Sequence, residues 1–278
     1  MTSIKQLLRW GKTTLSEHSD SANIDAEVLL CHVLKHSRVY LYAHSEALIE
    51  EAPIVLYTQL IEKRKTGYPV AYLTGKQAFW NLDIAVNEHT LIPRPETEML
   101  VTMGLEKIHS IDNPVIADLG TGSGAIALAL ASERPDAVIF AVDLSKNALN
   151  VAQQNQHHYQ FKQVHLVNAN WLDAFEPKPC FDLIVTNPPY IPEADPHLQS
   201  SIRYEPSLAL ISGPGGLDAV MEIIAKAKPF LKPDGWLLIE HGYDQKMPIN
   251  QQLIDNGYRQ VNCWEDHAGH DRISIGQK

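Results

Sequence analysis

The 278-residue chain is 45% hydrophobic and 20% charged, a length and composition that suit one large or two smaller globular domains with a sizeable core. A disordered chain, a collagen-like chain and a disulfide-stapled miniprotein are excluded; the three cysteines, Cys31, Cys180 and Cys263, form no CxxC pair and suit buried thiols in a reducing compartment better than a zinc site. The formal charge of −10 is uneven, with nine basic and eight acidic side chains in residues 1–80 against 14 and 25 in the remainder, so the bulk field argues against duplex DNA or long RNA as a partner.

The first 75 residues read as a small helical bundle. Ile4, Leu7, Leu8 and Leu15 recur at helical spacing. Asp25 opens a second stripe through Val28, Leu29, Val33 and Leu34, and Pro53 sits where a third helix can begin, to end at Gly67. At Phe79 the pattern changes, and Leu82, Ile84 and Val86 alternate with polar residues as in a strand. Pro93 and Pro95 then stiffen the approach to a helix carrying Met99, Leu100, Met103 and Leu105. The domain boundary falls between about 76 and 95.

From 114 onward, short apolar runs alternate with helices. Val115–Leu119, Val138–Val142, Val164–Val167, Leu183–Val185 and Trp236–Ile239 are expected as parallel strands buried on both faces. Helices are expected at about 124–134, 145–155, 217–231 and 245–256. The implied fold is α/β, a doubly wound sheet, with Tyr258–Trp264 and Arg272–Ile275 closing it as an antiparallel pair. No apolar run approaches a membrane span, and the start MTSIKQLLRWGKTT lacks a signal-peptide core, so a cytoplasmic location is expected.

The first of these strands runs into Asp118-Leu119-Gly120-Thr121-Gly122-Ser123-Gly124 and a helix, and the second ends in Asp143. Glycines permit a tight turn and close approach to a ligand, and an acid at the tip of the second strand suits the two hydroxyls of a ribose. The spacing GxGxG, preceded by an acid, differs from the GxGxxG of dinucleotide oxidoreductases. Asp118 repels a pyrophosphate but suits the cationic methyl donor S-adenosylmethionine. A glycine turn capped by an Asp is the plainer alternative.

The fourth strand leads into Asn187-Pro188-Pro189-Tyr190, the most specific stretch of the chain. The Asn187 side-chain oxygen and the Pro188 carbonyl together suit both hydrogens of a planar NH2 group, and Tyr190 can cover its flat face. Such a clamp holds an exocyclic amine or a carboxamide in line with a methyl–sulfonium bond, with Asn187, Pro188 and Tyr190 as the catalytic set.

These residues, with Gly67–Gly75, Leu91–Glu98, Tyr204-Glu205-Pro206 and Asp266–Arg272, give a chain that resembles, over almost its whole length, the PrmC/HemK family of class I S-adenosylmethionine-dependent methyltransferases, the release factor glutamine methyltransferases. The resemblance implies a seven-stranded class I methyltransferase sheet over 96–278, a strand or hairpin linker over 76–95, and an N-terminal helical substrate-recognition domain over 1–75. It implies methyl transfer to N5 of the glutamine in the Gly-Gly-Gln motif of class I peptide chain release factors; the charge balance and the lack of a long apolar run leave no direct duplex nucleic acid partner and no membrane expected. Carried onto matching positions, it gives Gly120, Thr121, Gly122, Ser123, Gly124 and Asp143 to the cofactor and sets Trp171 near the adenine. Asn187 would touch both cofactor and glutamine, and Pro188, Pro189 and Tyr190 would complete the glutamine pocket. Two departures stand out: Asn168-Ala169-Asn170 precede Trp171 where many relatives carry an acid, and Ser212-Gly213-Pro214-Gly215-Gly216 lacks the acid relatives more often show.

Other residues have bland readings beside functional ones. Arg94, Glu96 and Glu98 suit a lid or a cofactor contact, but also a helix dipole. Glu205 suits a substrate loop or a structural acceptor. Lys63-Arg64-Lys65 serves a helix end more readily than a nucleic acid, and the histidines lack ligand spacing, so no metal is expected. An adenine-N6 methyltransferase of DNA or RNA, a ribosomal-protein glutamine methyltransferase and a noncatalytic docking protein remain as alternatives.

Overall fold

The computed structural model describes residues 2–278, the side chain of Ser201 apart. The chain divides into two compact units: residues up to Lys76 together with His197–Tyr204, and Gln77–Pro196 with Glu205–Lys278.

In the smaller unit, strand β1 (Thr2–Ser3) pairs with β2 (Leu48–Ile49), and helices α1 (Ile4–Leu15), α2 (Ala22–Leu34), α3 (Arg38–Ala43), α4 (Glu51–Lys65) and α5 (Val70–Thr74) enclose an apolar core. Ser3 starts α1 with a reciprocal capping box: its hydroxyl accepts the Gln6 N–H, and the Gln6 side chain accepts the Ser3 N–H. Three features differ from the sequence reading. The short helices α3 and α5 carry too few residues to show a period, and α4 starts two residues before Pro53, which sits in its first turn. Of the stripe expected on α2, Leu29 is buried and Val33 and Leu34 pack against the core, joined by Asp25, Ala26, Glu27 and Leu30, while Val28 does not join it.

The two acids are tolerated because they are paired. Asp25 accepts from the Ser19 and Ser21 hydroxyls and from Arg64 at 2.7 Å, which gives Arg64 a structural partner within the unit. Glu27, 3% exposed, accepts from Lys12, Arg38 and the Tyr42 hydroxyl. Burial pushes its carboxyl up, but these three donors outweigh burial and bring it down to about 2. Because its folded value lies below the ordinary one, the stability it contributes is present above about pH 4.5 and is lost as pH falls toward 2. Glu27→Ala is therefore expected to cost roughly 2–3 kcal/mol at neutral pH and much less near pH 2, measured by denaturant unfolding at the two pH values.

The segment His197–Tyr204 is grouped with this unit, where Arg203 and the Tyr204 hydroxyl both donate to the Thr66 carbonyl, at 2.7 and 2.9 Å.

The larger unit opens with the hairpin β3 (Lys76–Phe79) and β4 (Leu82–Ala85), followed by α6 (Thr97–Lys107). Then β5 (Val115–Leu119), α7 (Ala125–Glu133), β6 (Val138–Asp143), α8 (Lys146–Tyr159), β7 (Val164–Asn168) and β8 (Phe181–Thr186) alternate. Helix α9 (Asp218–Ala227), β9 (Leu231–Glu240), α10 (Lys246–Asp255), β10 (Arg259–Glu265) and β11 (Asp271–Gln277) complete it. From Gln77 on, the hairpin expected as a linker groups with this unit. Asn155 of α8 explains why: its side chain pairs with both backbone groups of Ala85 and also donates to the Ser123 carbonyl.

The seven-stranded sheet has the order β10-β11-β9-β8-β5-β6-β7. The strands β7, β6, β5, β8 and β9 are parallel, while β11 runs antiparallel to both β9 and β10. All six residues of β8 are buried, as its apolar run requires of a central strand covered on both faces. The strand order reverses between β5 and β8, so the crevice at their carboxyl ends is where this architecture binds ligands. Among the described residues no helix is long and apolar enough to cross a membrane.

Candidate active site

The register brings four strand ends to one edge. Leu119 lies opposite Val142 and Thr186, and Thr186 lies opposite Ile239. Asp143, the glycine turn, Asn187 and Glu240 therefore leave the sheet side by side.

The glycine turn is held from both sides. The Gly120 and Thr121 N–H groups donate to the Val142 carbonyl, and the Gly122 N–H donates to Asp143 Oδ2 at 2.8 Å. Asp143 Oδ1 accepts the Ser145 N–H at 2.8 Å, so each oxygen has one backbone donor and spare capacity for a ligand hydroxyl. Burial raises the Asp143 carboxyl, opposed by those two donors. Asp118 lies behind the turn and is fully buried. Its Oδ2 accepts the Thr121 hydroxyl and the Ala127 N–H, while Oδ1 has no partner. Burial above all pushes its carboxyl up to about 7.

A cavity of about 320 Å³ opens at this edge, within the size range of small-molecule sites. Gly120, Gly122, Asp143, Trp171, Asn187 and Pro189 line it. Trp171 has a positive φ of 46°, and its indole would lie 3.3 Å from a Cβ added to Gly120. Only glycine lets the indole close down on the turn. Asn170 also lines the cavity, whereas the Asn168 side chain is engaged with the Asp143 and Leu144 carbonyls.

Not every residue expected at the ligand reaches the cavity wall. Asp118, Thr121, Ser123 and Gly124 build and brace the turn from behind, and Pro188 and Tyr190 stand off the wall beside Asn187 and Pro189. The Asn187–Tyr190 segment is fixed by its surroundings. The Thr186 hydroxyl donates to the Leu119 carbonyl at 2.7 Å, and Gln245 Nε2 donates to the Tyr190 carbonyl at 3.0 Å and the Gly216 carbonyl at 3.2 Å. A Cβ on Gly216, at φ +72°, would come within 2.3 Å of the Tyr190 carbonyl oxygen. The glycine-rich loop at 212–216 thus backs the motif directly. Burial pushes the Tyr190 phenol up to about 12.

Glu205 is a structural acceptor here: its carboxylate takes the Ile92 N–H at 2.9 Å and the Arg94 guanidinium. Glu98 accepts the Trp80 N–H at 2.8 Å. Sequence reasoning missed several wall residues, among them His89, Leu208 and Glu222, which sit in a loop, a short 3-10 turn and α9 outside any motif, whereas Leu91 reaches the wall from the start of the Leu91–Glu98 motif. It also missed Glu240, which had a signal: like Asp143, it is an acid ending a buried parallel strand at the ligand edge.

The chain matches known families on both sides of the boundary. Residues 6–75 match the "PrmC N-terminal domain" and residues 97–202 the "Methyltransferase small domain". A methyltransferase from Pyrococcus furiosus shares the fold at a TM-score of 0.53 and 19% identity, over 72% of this chain and 91% of that one. Fold and matched domain define a class I S-adenosylmethionine-dependent methyltransferase.

The release factor glutamine methyltransferase of Vibrio cholerae is 42% identical over 260 residues, 93% of this chain and 91% of that protein. The one from Escherichia coli K12 is 40% identical over 272 residues, 96% and 97% of the two chains. The chain belongs to the release factor glutamine methyltransferase family.

Proposed function

We propose that this enzyme methylates the side-chain amide nitrogen of the Gly-Gly-Gln glutamine in class I release factors, that Gly120, Gly122, Asp143 and Trp171 hold the methyl donor, and that Asn187 with Pro188 holds the glutamine amide. The observation that carries this reading is the juxtaposition of Asn187 and Pro189 with the glycine turn and Asp143 around one cavity. S-adenosylmethionine supplies an electrophilic methyl group on a sulfonium sulfur.

The residues present suit such a donor. The spare capacity of Asp143 fits a ribose diol, and the Trp171 indole offers a flat face to a purine. The unpartnered Asp118 oxygen beneath the turn favours a cationic ligand above it over a pyrophosphate. An amide nitrogen is a weak nucleophile because its lone pair is delocalised. Accepting its hydrogens on the Asn187 oxygen and the Pro188 carbonyl draws density toward nitrogen and fixes its line of attack. Asp118, Thr121, Ser123 and Gly124 act through the shape of the turn, and Pro189 and Tyr190 through the shape of the glutamine pocket.

The acidic balance of residues 81–278 supports a protein substrate over duplex nucleic acid, and the three free cysteines support a reducing, cytoplasmic location. The test offers labelled S-adenosylmethionine with unmethylated release factor, ribosomal proteins and duplex DNA in parallel. Label in the release factor is the expected result, and label confined to ribosomal protein or DNA overturns the substrate assignment.

A further inference from the structure

Glu240 is the least explained charge in the larger unit. It is 1% exposed, its Oε2 has no hydrogen-bond partner, and it stands beside Asn187 at the ligand edge. Its neighbours are the Thr97 hydroxyl and the Asn187 amide. Asn187 in turn donates through Nδ2 to Thr97 Oγ1 at 3.2 Å. An unpaired buried acid of this kind costs stability unless it has a task or a partner.

The hydrogen-bond logic of these three groups has one solution. An ionised carboxylate only accepts. The Thr97 hydroxyl has one proton, and giving it to Glu240 leaves Thr97 an acceptor toward Asn187. Only the Asn187 Nδ2 can donate to that oxygen and to the carboxylate. The Asn187 Oδ1 is then left for the cavity, as an acceptor. Without the carboxylate, Thr97 can donate instead, and the Asn187 amide can turn its NH2 outward, where it repels the NH2 of an incoming amide.

We propose that Glu240 is a positioning residue of the methyl-transfer site, which through the Thr97 hydroxyl sets the flip of the Asn187 side chain so that its oxygen faces the substrate amide. This rests on the reading of Asn187 as the acceptor for the substrate NH2. Protonated Glu240 reverses the polarity of the relay, since it donates to Thr97 and frees the Thr97 proton for Asn187. Burial pushes the Glu240 carboxyl up to about 7, opposed by Thr97, Asn187 and Arg272 of β11, while Glu96 at the start of α6 raises it further. Tyr190, whose phenol is raised to about 12, faces it from the segment after β8, and burial holds the adjoining His241 below its ordinary value.

The experiment measures methyl transfer at saturating S-adenosylmethionine and release factor as a function of pH, together with cofactor affinity by calorimetry. Glu240→Ala and Thr97→Val are expected to lower kcat roughly 10- to 100-fold with cofactor affinity nearly unchanged, and the double variant to lose no more than either alone. Thr97→Ser recovers most of what Thr97→Val loses. Glu240→Gln, which like the protonated acid can donate to Thr97 as well as accept, is expected to hold kcat near the wild type's low-pH value across the pH range and so to lose the acid limb that the wild type shows. Asp118 titrates in the same range, but its protonation acts on cofactor binding and is removed by saturation. Unchanged kcat in Glu240→Ala, or an identical acid limb in wild type and Glu240→Gln, overturns the proposal. If Asn187→Ala is itself fully active, it is the reading of Asn187 that fails.

Discussion

Asn187→Ala is expected to lower kcat for methyl transfer by roughly 10²–10³-fold, the usual loss when one preorganised hydrogen-bonding group at a reacting centre is removed. The side chain stands at the end of β8, the most buried strand of the sheet, with its amide nitrogen anchored on Thr97. Its oxygen is thus held in place before substrate arrives. The two prolines that follow it, the Thr186 hydroxyl bond to Leu119 before it and the Gln245 bond to the Tyr190 carbonyl keep the backbone fixed when the side chain is shortened, so the loss falls on chemistry rather than folding. Single-turnover transfer gives the rate, and calorimetry with S-adenosylmethionine is expected to show affinity reduced by less than about tenfold, since the turn and Asp143 remain. A variant with near-normal turnover contradicts the clamp.

Asp143→Ala is expected to act on the other side of the cavity, weakening S-adenosylmethionine by roughly 100-fold, or about 3 kcal/mol. The carboxylate has two tasks. It accepts the Gly122 and Ser145 N–H groups, which shape the glycine turn and the start of α8, and it offers its remaining lone pairs to the ribose. Asp143→Asn keeps an acceptor for one N–H but presents an NH2 to the other, so it is expected to fall between Ala and wild type. With kcat at saturating donor nearly unchanged, the pattern separates donor binding from methyl-acceptor positioning. Equal affinity in wild type and Asp143→Ala contradicts the assignment of the ribose end.

Much of this fold is legible in the chain because its central strands are buried on both faces. Val115–Leu119 and Phe181–Thr186 are almost wholly buried, so they read as mainly apolar runs broken only by Asp118, Asp182 and the terminal Thr186, and the glycine turn and Asp143 mark where the ligand edge lies. The antiparallel tail is legible for the same reason at Ile273 and Ile275, both buried. What is not legible depends on partners distant in sequence. Asp25 and Glu27 occupy a buried helix face only because Arg64, Lys12 and Arg38 reach them. The hairpin expected as a linker is bound by Asn155, 70 residues from Ala85. The motifs place Asn187, Pro189, Gly120 and Asp143 at one cavity, but they do not show that Asp118 and Tyr190 stand off its wall. Tyr190 is backed by Gly216 and Gln245, neither of which belongs to a motif with chemical content, and Asp118 is held by Thr121 and the Ala127 N–H.

The central claim is that the Asn187 clamp beside the donor cavity presents a glutamine amide for methylation. The most direct measurement is tandem mass spectrometry of unmethylated release factor after incubation with the enzyme and S-adenosylmethionine. A single added methyl on the side-chain nitrogen of the Gly-Gly-Gln glutamine, absent when Asn187→Ala replaces the wild type, is the predicted result. A methyl group on any other residue, or the same glutamine methylated equally well by the Asn187→Ala variant, contradicts it.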